Sequence, residues 1–247
     1  MKLAREMVKA GWCITKEKDG NFTVYAANSL KFSYNTAAGT WSVPGNEIRS
    51  LLQKELKLIA RKKASPFISA SRMTALNHSK NVSQPVKMIC REKLLKDKDV
   101  LHLGTGLDRF ANEKLLASGC AAISDYDPNF YPDKTVLKKQ YDAVIANYVL
   151  NIVPPPDRKK IYQLIDRTLK PGGSAYLTVQ GVWPVEHKYP VIRRYADGYL
   201  IKSGYNVTFR KGYTAAEFIK EIKSFLGGKP CLITKFYSNS FVRWDKA

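Results

Sequence analysis

Residues 100–106 read Val-Leu-His-Leu-Gly-Thr-Gly, and Asp127 follows 21 residues beyond Gly106. An apolar strand, a glycine turn and a later carboxylate are the parts of a nucleotide-type cofactor site. Gly104 and Gly106 let the backbone turn tightly and approach a ligand, with Thr105 between them and His102 just before. Asp127, closing a second apolar strand, can accept hydrogen bonds from a ribose diol. Asp125 competes for that role, and either acid can instead cap a helix or turn. Asp108 occupies the third small position of the glycine pattern, where a carboxylate repels a pyrophosphate. That argues against a dinucleotide and for a cofactor without phosphates.

These residues need a sheet to hold them. Strand Val100–Leu103 is followed by a helix near Asn112–Ala117 and a strand Ala121–Ser124. Then come a strand Ala143–Ala146, a helix from about Pro156 to Leu169, and a strand Ala175–Val179, with Pro171-Gly172-Gly173 stopping the helix. A further helix is expected from Gln84 to about Leu95. Thr214 and Glu217 form a capping box that opens a helix to Phe225. Leu232–Tyr237 and Phe241–Trp244 end the chain as a strand pair. Strands alternating with helices predict an α/β domain: a mostly parallel sheet, helices on both faces, and an antiparallel C-terminal strand pair.

Ahead of this lies a small α+β unit, residues 1–64. It has a short helix at 3–10, a hairpin around Asp19-Gly20-Asn21, a second hairpin from Lys31 to Val43, and a helix capped by Asn46. The polar connector Ser65–Lys80 separates it from a second domain, 65–247. "MVKAGW" (7–12), the basic stretch to Gly20, the strand ending in Tyr25, Val43-Pro44 and "EIRSLL" (47–52) resemble the HicA-type mRNA interferases, whose fold is like that of double-stranded-RNA-binding domains. Asn21 and Phe22 stand where that family carries a catalytic histidine. The resemblance therefore implies nucleic-acid binding without ribonuclease activity.

The 247 residues carry a net charge of +20, distributed unevenly. Residues 1–64 and 181–247 each contribute +7, whereas 101–180, around the glycine turn, contribute only +2. Basic flanks on a nearly neutral core point to a polyanion such as DNA or RNA. No apolar run reaches the ~18 residues of a membrane span. The N-terminus is charged where a signal peptide would be apolar. Four scattered cysteines without a C-x-x-C pair fit a reducing cytosol and predict no metal site.

"VLHLGTG", "SDYDP", "YDAVIANYVLNIVP" and "LKPGGSAYLTV" resemble the successive motifs of class I S-adenosylmethionine-dependent methyltransferases, which have a Rossmann-like fold. Within them, "RMTALNHSKNVSQPVK", "DYDPNFYP", "NYVLNIV" and "FRKGYTAAEF" resemble the methyltransferases associated with DNA phosphorothioation. The resemblance implies S-adenosylmethionine as cofactor, bound by His102, Gly104, Thr105, Gly106, Asp127 and Asn147. His102 takes the place of an acid that contacts the methionine amine in many of these enzymes. The "DP" at 127–128 favours Asp127 as the ribose acid.

Asn147 and Tyr148 end a third strand, where α/β ligands collect, and are candidates to face methyl transfer. A turn amide that merely satisfies backbone groups is the competing role for Asn147. Base amino-methyltransferases carry Asp/Asn-Pro-Pro-Tyr/Phe here, whereas this chain has Asn147-Tyr148-Val149-Leu150. Cytosine C5 chemistry needs a thiolate, and no cysteine lies between Cys120 and Cys231. His78 and His187 are candidate general bases. Trp183, Tyr189, Arg193, Arg194 and Tyr195 suit base stacking with phosphate contact, or packing against a mobile lid. The expectation is a methyltransferase acting on nucleic acid, DNA ahead of RNA. The alternatives are a small-molecule or protein methyltransferase, or a non-catalytic binding protein with the same shell.

Overall fold

A computed structural model describes residues 13–16, 22–25, 31–35, 38, 40–42, 47–48, 50, 66–75, 82–203 and 206–247. In the N-terminal unit β1 (Cys13–Lys16), β2 (Phe22–Tyr25), β3 (Lys31–Asn35) and β4 (Thr40–Trp41) form an antiparallel sheet in chain order. Cys13 pairs with Tyr25 and Phe22 with Tyr34, as two successive hairpins require. The expected helix at 3–10, the Asp19–Asn21 turn and residues 51–64 of the second helix lie outside the described residues.

The described chain continues with α1 (Pro66–Ser71), a 3-10 turn at Arg72–Thr74, and α2 (Gln84–Arg91). α2 stops earlier than its pattern suggested, because the chain leaves helical geometry at Glu92 and turns through Lys93 and Asp97, both at positive φ. β5 (Asp99–Leu103), α3 (Arg109–Ala117), β6 (Ala122–Tyr126), β7 (Tyr141–Asn147), α4 (Pro155–Thr168) and β8 (Leu169–Val179) follow. α5 (Val182–His187), β9 (Val191–Tyr195), β10 (Gly198–Ser203), β11 (Asn206–Arg210), α6 (Ala215–Leu226), β12 (Cys231–Phe236) and β13 (Asn239–Asp245) complete it.

Six strands form one sheet in the order β12-β13-β8-β7-β5-β6. β6, β5, β7 and β8 pair in parallel, and β13 runs antiparallel to both its neighbours. This is the expected α/β arrangement, a mostly parallel sheet with an antiparallel C-terminal strand pair. Alternation along the strands sorts the core into two layers. Leu101, Leu103, Val144, Ala146, Ala175 and Leu177 pack with Tyr162 and Ile165 of α4 and with Phe218 and Ile222 of α6. Val100, Ala143, Ile145, Tyr176 and Phe241 face Val86 and Ile89 of α2 and Ala111 and Leu115 of α3.

β8 begins at Leu169, six residues before its expected start. Leu169 pairs with Tyr141 and Ser174 with Ala143, so Lys170–Gly173 bulges out of the ladder, with Gly172 at φ +73°. The Pro-Gly-Gly run thus lies inside a strand. The antiparallel sheet β11-β10-β9 is a second departure. Of the aromatic-basic segment, Trp183 lies in α5 and Arg193, Arg194 and Tyr195 in β9.

α1 and this small sheet meet through Phe67, whose ring lies 5.2 Å from Tyr195 and 6.3 Å from Phe209. The β9–β10 turn is anchored to the main domain through Asp197, which receives both terminal nitrogens of the buried Arg158 in α4 at 2.7–2.9 Å. Arg158 also reaches Glu221 of α6 at 2.8 Å, and Lys211 bridges Asp197 and Glu221. No helix among the described residues is long and apolar enough to cross a membrane.

Candidate active site

After β5 the chain passes to β6 on one side and then crosses to β7 on the other. The loops leaving β5 and β7 diverge at this switch, and a crevice opens at the carboxyl ends of the strands. A cavity of ≈ 260 Å³ occupies it, near the lower end of the ~300–1,000 Å³ usual for small-molecule sites. Its wall includes His102, Gly104, Thr105 and Gly106 from the β5 turn, Asp108 from the start of α3, and Tyr126 and Asp127 from β6 and its turn. Asn147, Tyr148 and Val149 follow β7, and Asp157 and Lys160 come from α4. Ile68, Ser71, Thr74 and Ala75 close it from the α1 segment.

The glycines are required by the turn. Gly104 sits at φ +74°, and a Cβ there would collide with the Val149 side chain. Gly106 sits at φ +60°, and its Cβ would come 3.2 Å from that of Ala75. The Gly104 N–H donates to the Tyr126 carbonyl at 2.7 Å, tying the turn to β6.

Asp127 is buried in the cavity wall. Its Oδ2 accepts from the Gly106 N–H at 3.1 Å, and its Oδ1 accepts from the N–H groups of Asn129 and Phe130 at 2.8 and 3.2 Å. A carboxylate has about four acceptor positions, so one remains for a ligand hydroxyl. Asp125 is not part of the wall. It accepts from Thr105 Oγ1 at 2.7 Å and from the Asn112 amide at 2.7 and 2.8 Å.

The same Asn112 orients His102. Its NH2 faces the Asp125 carboxylate, so its Oδ1 faces His102 Nδ1 at 2.9 Å. That nitrogen must therefore carry a proton, which leaves Nε2 as the ring atom without an assigned role. Nothing in the glycine motif signalled Asn112; only its place one turn into α3, on the face of His102, could have found it.

Asp108 is the N-cap of α3, with its side chain accepting from the Ala111 N–H at 3.2 Å. A carboxylate already occupies the helix start where a phosphate would otherwise sit. This gives the sequence-level repulsion argument a geometric form.

Asn147 accepts from the Thr178 hydroxyl at 2.9 Å through Oδ1, while its buried Nδ2 has no partner. The group it leaves available is a donor. Tyr148 is held at φ +59°, a conformation that costs a non-glycine residue about 1–3 kcal/mol. Its N–H donates to the Thr178 carbonyl at 2.8 Å. Burial raises the phenol pKa against the opposing hydrogen bond from Asn239, keeping the hydroxyl protonated.

The structure therefore gathers His102, Gly104, Thr105, Gly106, Asp127, Asn147 and Tyr148 around one cavity. His78 lies outside the described residues. His187 is exposed and stacks on Trp183 with ring centroids 5.1 Å apart, away from the cavity wall.

No protein-family model and no curated protein matches the chain. Among solved structures it is similar to the Burkholderia thailandensis 1,6-didemethyltoxoflavin N1-methyltransferase with bound 1,6-didemethyltoxoflavin and S-adenosylhomocysteine. That likeness has 13% identity and a TM-score of 0.46, over 94% of this chain and 98% of the other. It is also similar to an O-methyltransferase family protein from Burkholderia thailandensis (8% identity, TM-score 0.48, 74% and 57% of the two chains). A third likeness is to the T. thermophilus 16S rRNA N2 G1207 methyltransferase with AdoMet and guanosine (12% identity, TM-score 0.41, 68% and 44%). At these identities nothing about substrate passes from them to this chain.

Proposed function

We propose that the chain is an S-adenosylmethionine-dependent methyltransferase. The observation that carries this reading is the cavity at the strand switch, where the glycine turn and Asp127 form one wall and Asp108 already caps the adjoining helix. The acids Asp108, Asp127 and Asp157 suit a cationic, phosphate-free nucleoside better than a dinucleotide. Asp127 would take a ribose hydroxyl, the backbone at 104–106 would lie along the ribose and methionine, and His102 would meet the amino-acid tail. When bound, the sulfonium supplies an activated methyl group, so the protein's work is to align donor and acceptor and exclude water. Asn147 and Tyr148 offer hydrogen-bond donors to an acceptor molecule entering beside them.

We read that acceptor as a small molecule. Residues of the α1 segment close the cavity on one side, and Asn147 presents a donor where an exocyclic amine would need an acceptor. A second reading, transfer to nucleic acid and to DNA before RNA, rests on the net charge of +20, on Lys188 over the Trp183 ring, and on exposed Arg193 and Arg194 of β9. The resemblance to phosphorothioation-associated methyltransferases favours DNA. In that case residues 1–64 would form a separate phosphate-binding module. The deciding experiment supplies tritiated S-adenosylmethionine with separate pools of metabolites, DNA, RNA and protein. Label in the metabolite pool supports the first reading and label in DNA the second; no label in any pool removes the enzyme.

A further inference from the structure

Two arginines adjoin the β9–β11 sheet, one bonded to its β9–β10 turn and one ending β11, and they differ in one respect. Arg158 is buried among the carboxylates of Asp197 and Glu221, and every terminal nitrogen has a partner. Arg210, the last residue of β11, has no carboxylate partner among the described residues. Its Nε is buried without a hydrogen bond. Its Nη1 makes one long contact, 3.5 Å to Gln180 Oε1, and the guanidinium lies 4.9 Å from the Tyr189 ring. Gln180 is itself held by its amide donating to the Tyr189 hydroxyl at 3.0 Å. Desolvation lowers the Arg210 pKa, as expected for a cation removed from water without a counter-ion.

The surroundings share this shortage of partners. The Thr208 hydroxyl, two residues earlier on the same face of β11, is buried and unbonded. So is the Ser240 hydroxyl, whose residue pairs with Val179 at the end of β8, and so is Asn147 Nδ2 in the cavity wall. Thr178, which holds Asn147, and Gln180, which touches Arg210, are two residues apart, a rise of ~6–7 Å along a strand. The cation without a counter-ion thus touches the chain two residues beyond Thr178, the residue that holds Asn147.

We propose that Arg210, with Gln180 and Tyr189, is an oxyanion-recognition subsite of the methyl-acceptor site, so the acceptor carries a carboxylate or phosphate group. This rests on the methyltransferase reading, which places the acceptor beside Asn147. The guanidinium forks onto two oxygens of the anion, and the orphaned Nε gains its partner.

The test uses the full chain and two probes, inorganic phosphate and acetate, each titrated at constant ionic strength while the melting temperature is followed. The wild type should be stabilised by at least one probe, and which one separates the two sources of the oxyanion. Arg210→Met should weaken the apparent anion affinity about tenfold or more, while Arg193→Met, on the surface, should not. Without anion, Arg210→Met should melt no lower than the wild type, since it removes a charge that lacks a counter-ion. The proposal is overturned if neither probe stabilises the wild type, if Arg210→Met keeps the response, if Arg193→Met loses it equally, or if Arg210→Met melts lower without anion. S-adenosylhomocysteine binding, measured separately on the same variants, should be unchanged by Arg210→Met. Its absence in the wild type would remove the methyltransferase reading while leaving the anion result to stand or fall alone.

Discussion

Gly104 and Gly172 share a φ near +74° and differ in their neighbours: Val149 packs on the first, and nothing lies within 4 Å of the second. Alanine at either strains the backbone, at a cost of about 1–3 kcal/mol. Only Gly104→Ala also drives a methyl group into Val149. It should therefore melt lower than Gly172→Ala and lose S-adenosylhomocysteine binding, and adding Val149→Ala should recover part of both. Equal melting of the two single variants would contradict the packing argument. Cys120 gives a pH-dependent expectation at the same scale. Burial pushes its thiol up to about 11. Because the folded pKa lies above the unfolded one, the associated stability is full below the unfolded value of ~8.5 and is lost as pH rises through about 11. At pH 8 iodoacetamide should label exposed Cys231 and leave Cys120 unlabelled in the folded chain. The glycines and Asp127 were legible because turn chemistry and a terminal carboxylate leave marks in sequence. Asn112 and Arg210 were not, since their roles come from contacts that only the assembled faces create.

Among the elements, the strands of the parallel sheet and the Thr214 capping box were readable because period and caps are local signals. Thr214 Oγ1 accepts from the Glu217 N–H at 3.2 Å, and the Glu217 carboxylate accepts from the Thr214 N–H at 2.9 Å. The β9–β11 sheet was hidden for a physical reason. Val191, Ile192, Arg193 and Arg194 are all exposed, so β9 lacks the alternation that one buried face would impose. Its position depends instead on Asp197. Burial alone would raise that carboxyl, but hydrogen bonds from Arg158 and Lys211 outweigh it and hold the pKa below the ordinary value. The stability this contributes is present above the ordinary carboxylate pKa and is lost as pH falls through the lower folded value. Asp197→Asn should destabilise the chain by about 1.5–3 kcal/mol, the usual worth of hydrogen bonds to a charged group. Hydrogen exchange should quicken first in β9 and β10. Unchanged exchange there would mean that the sheet is held by its other contacts, those of Phe67 and Tyr199 among them.

For the whole molecule, charge and topology make separate demands. A net charge of +20 should give affinity for DNA and RNA oligonucleotides that falls steeply between 50 and 200 mM salt. Filter binding measures this, and a salt-insensitive affinity would require contacts other than phosphate pairing. Binding of that kind does not test the proposed methyl transfer, which rests on the crevice between β5 and β7. The fold class followed from the alternation of strands and helices, whereas the closing of the crevice by the α1 segment needed the folded chain to be seen. Calorimetric titration of S-adenosylhomocysteine into the intact chain tests the crevice most directly. One molecule should bind per chain, with about tenfold or greater loss of affinity in Asp127→Ala and no competition from NAD. Absence of binding, displacement by NAD, or an Asp127→Ala variant that binds as tightly as the wild type would contradict it.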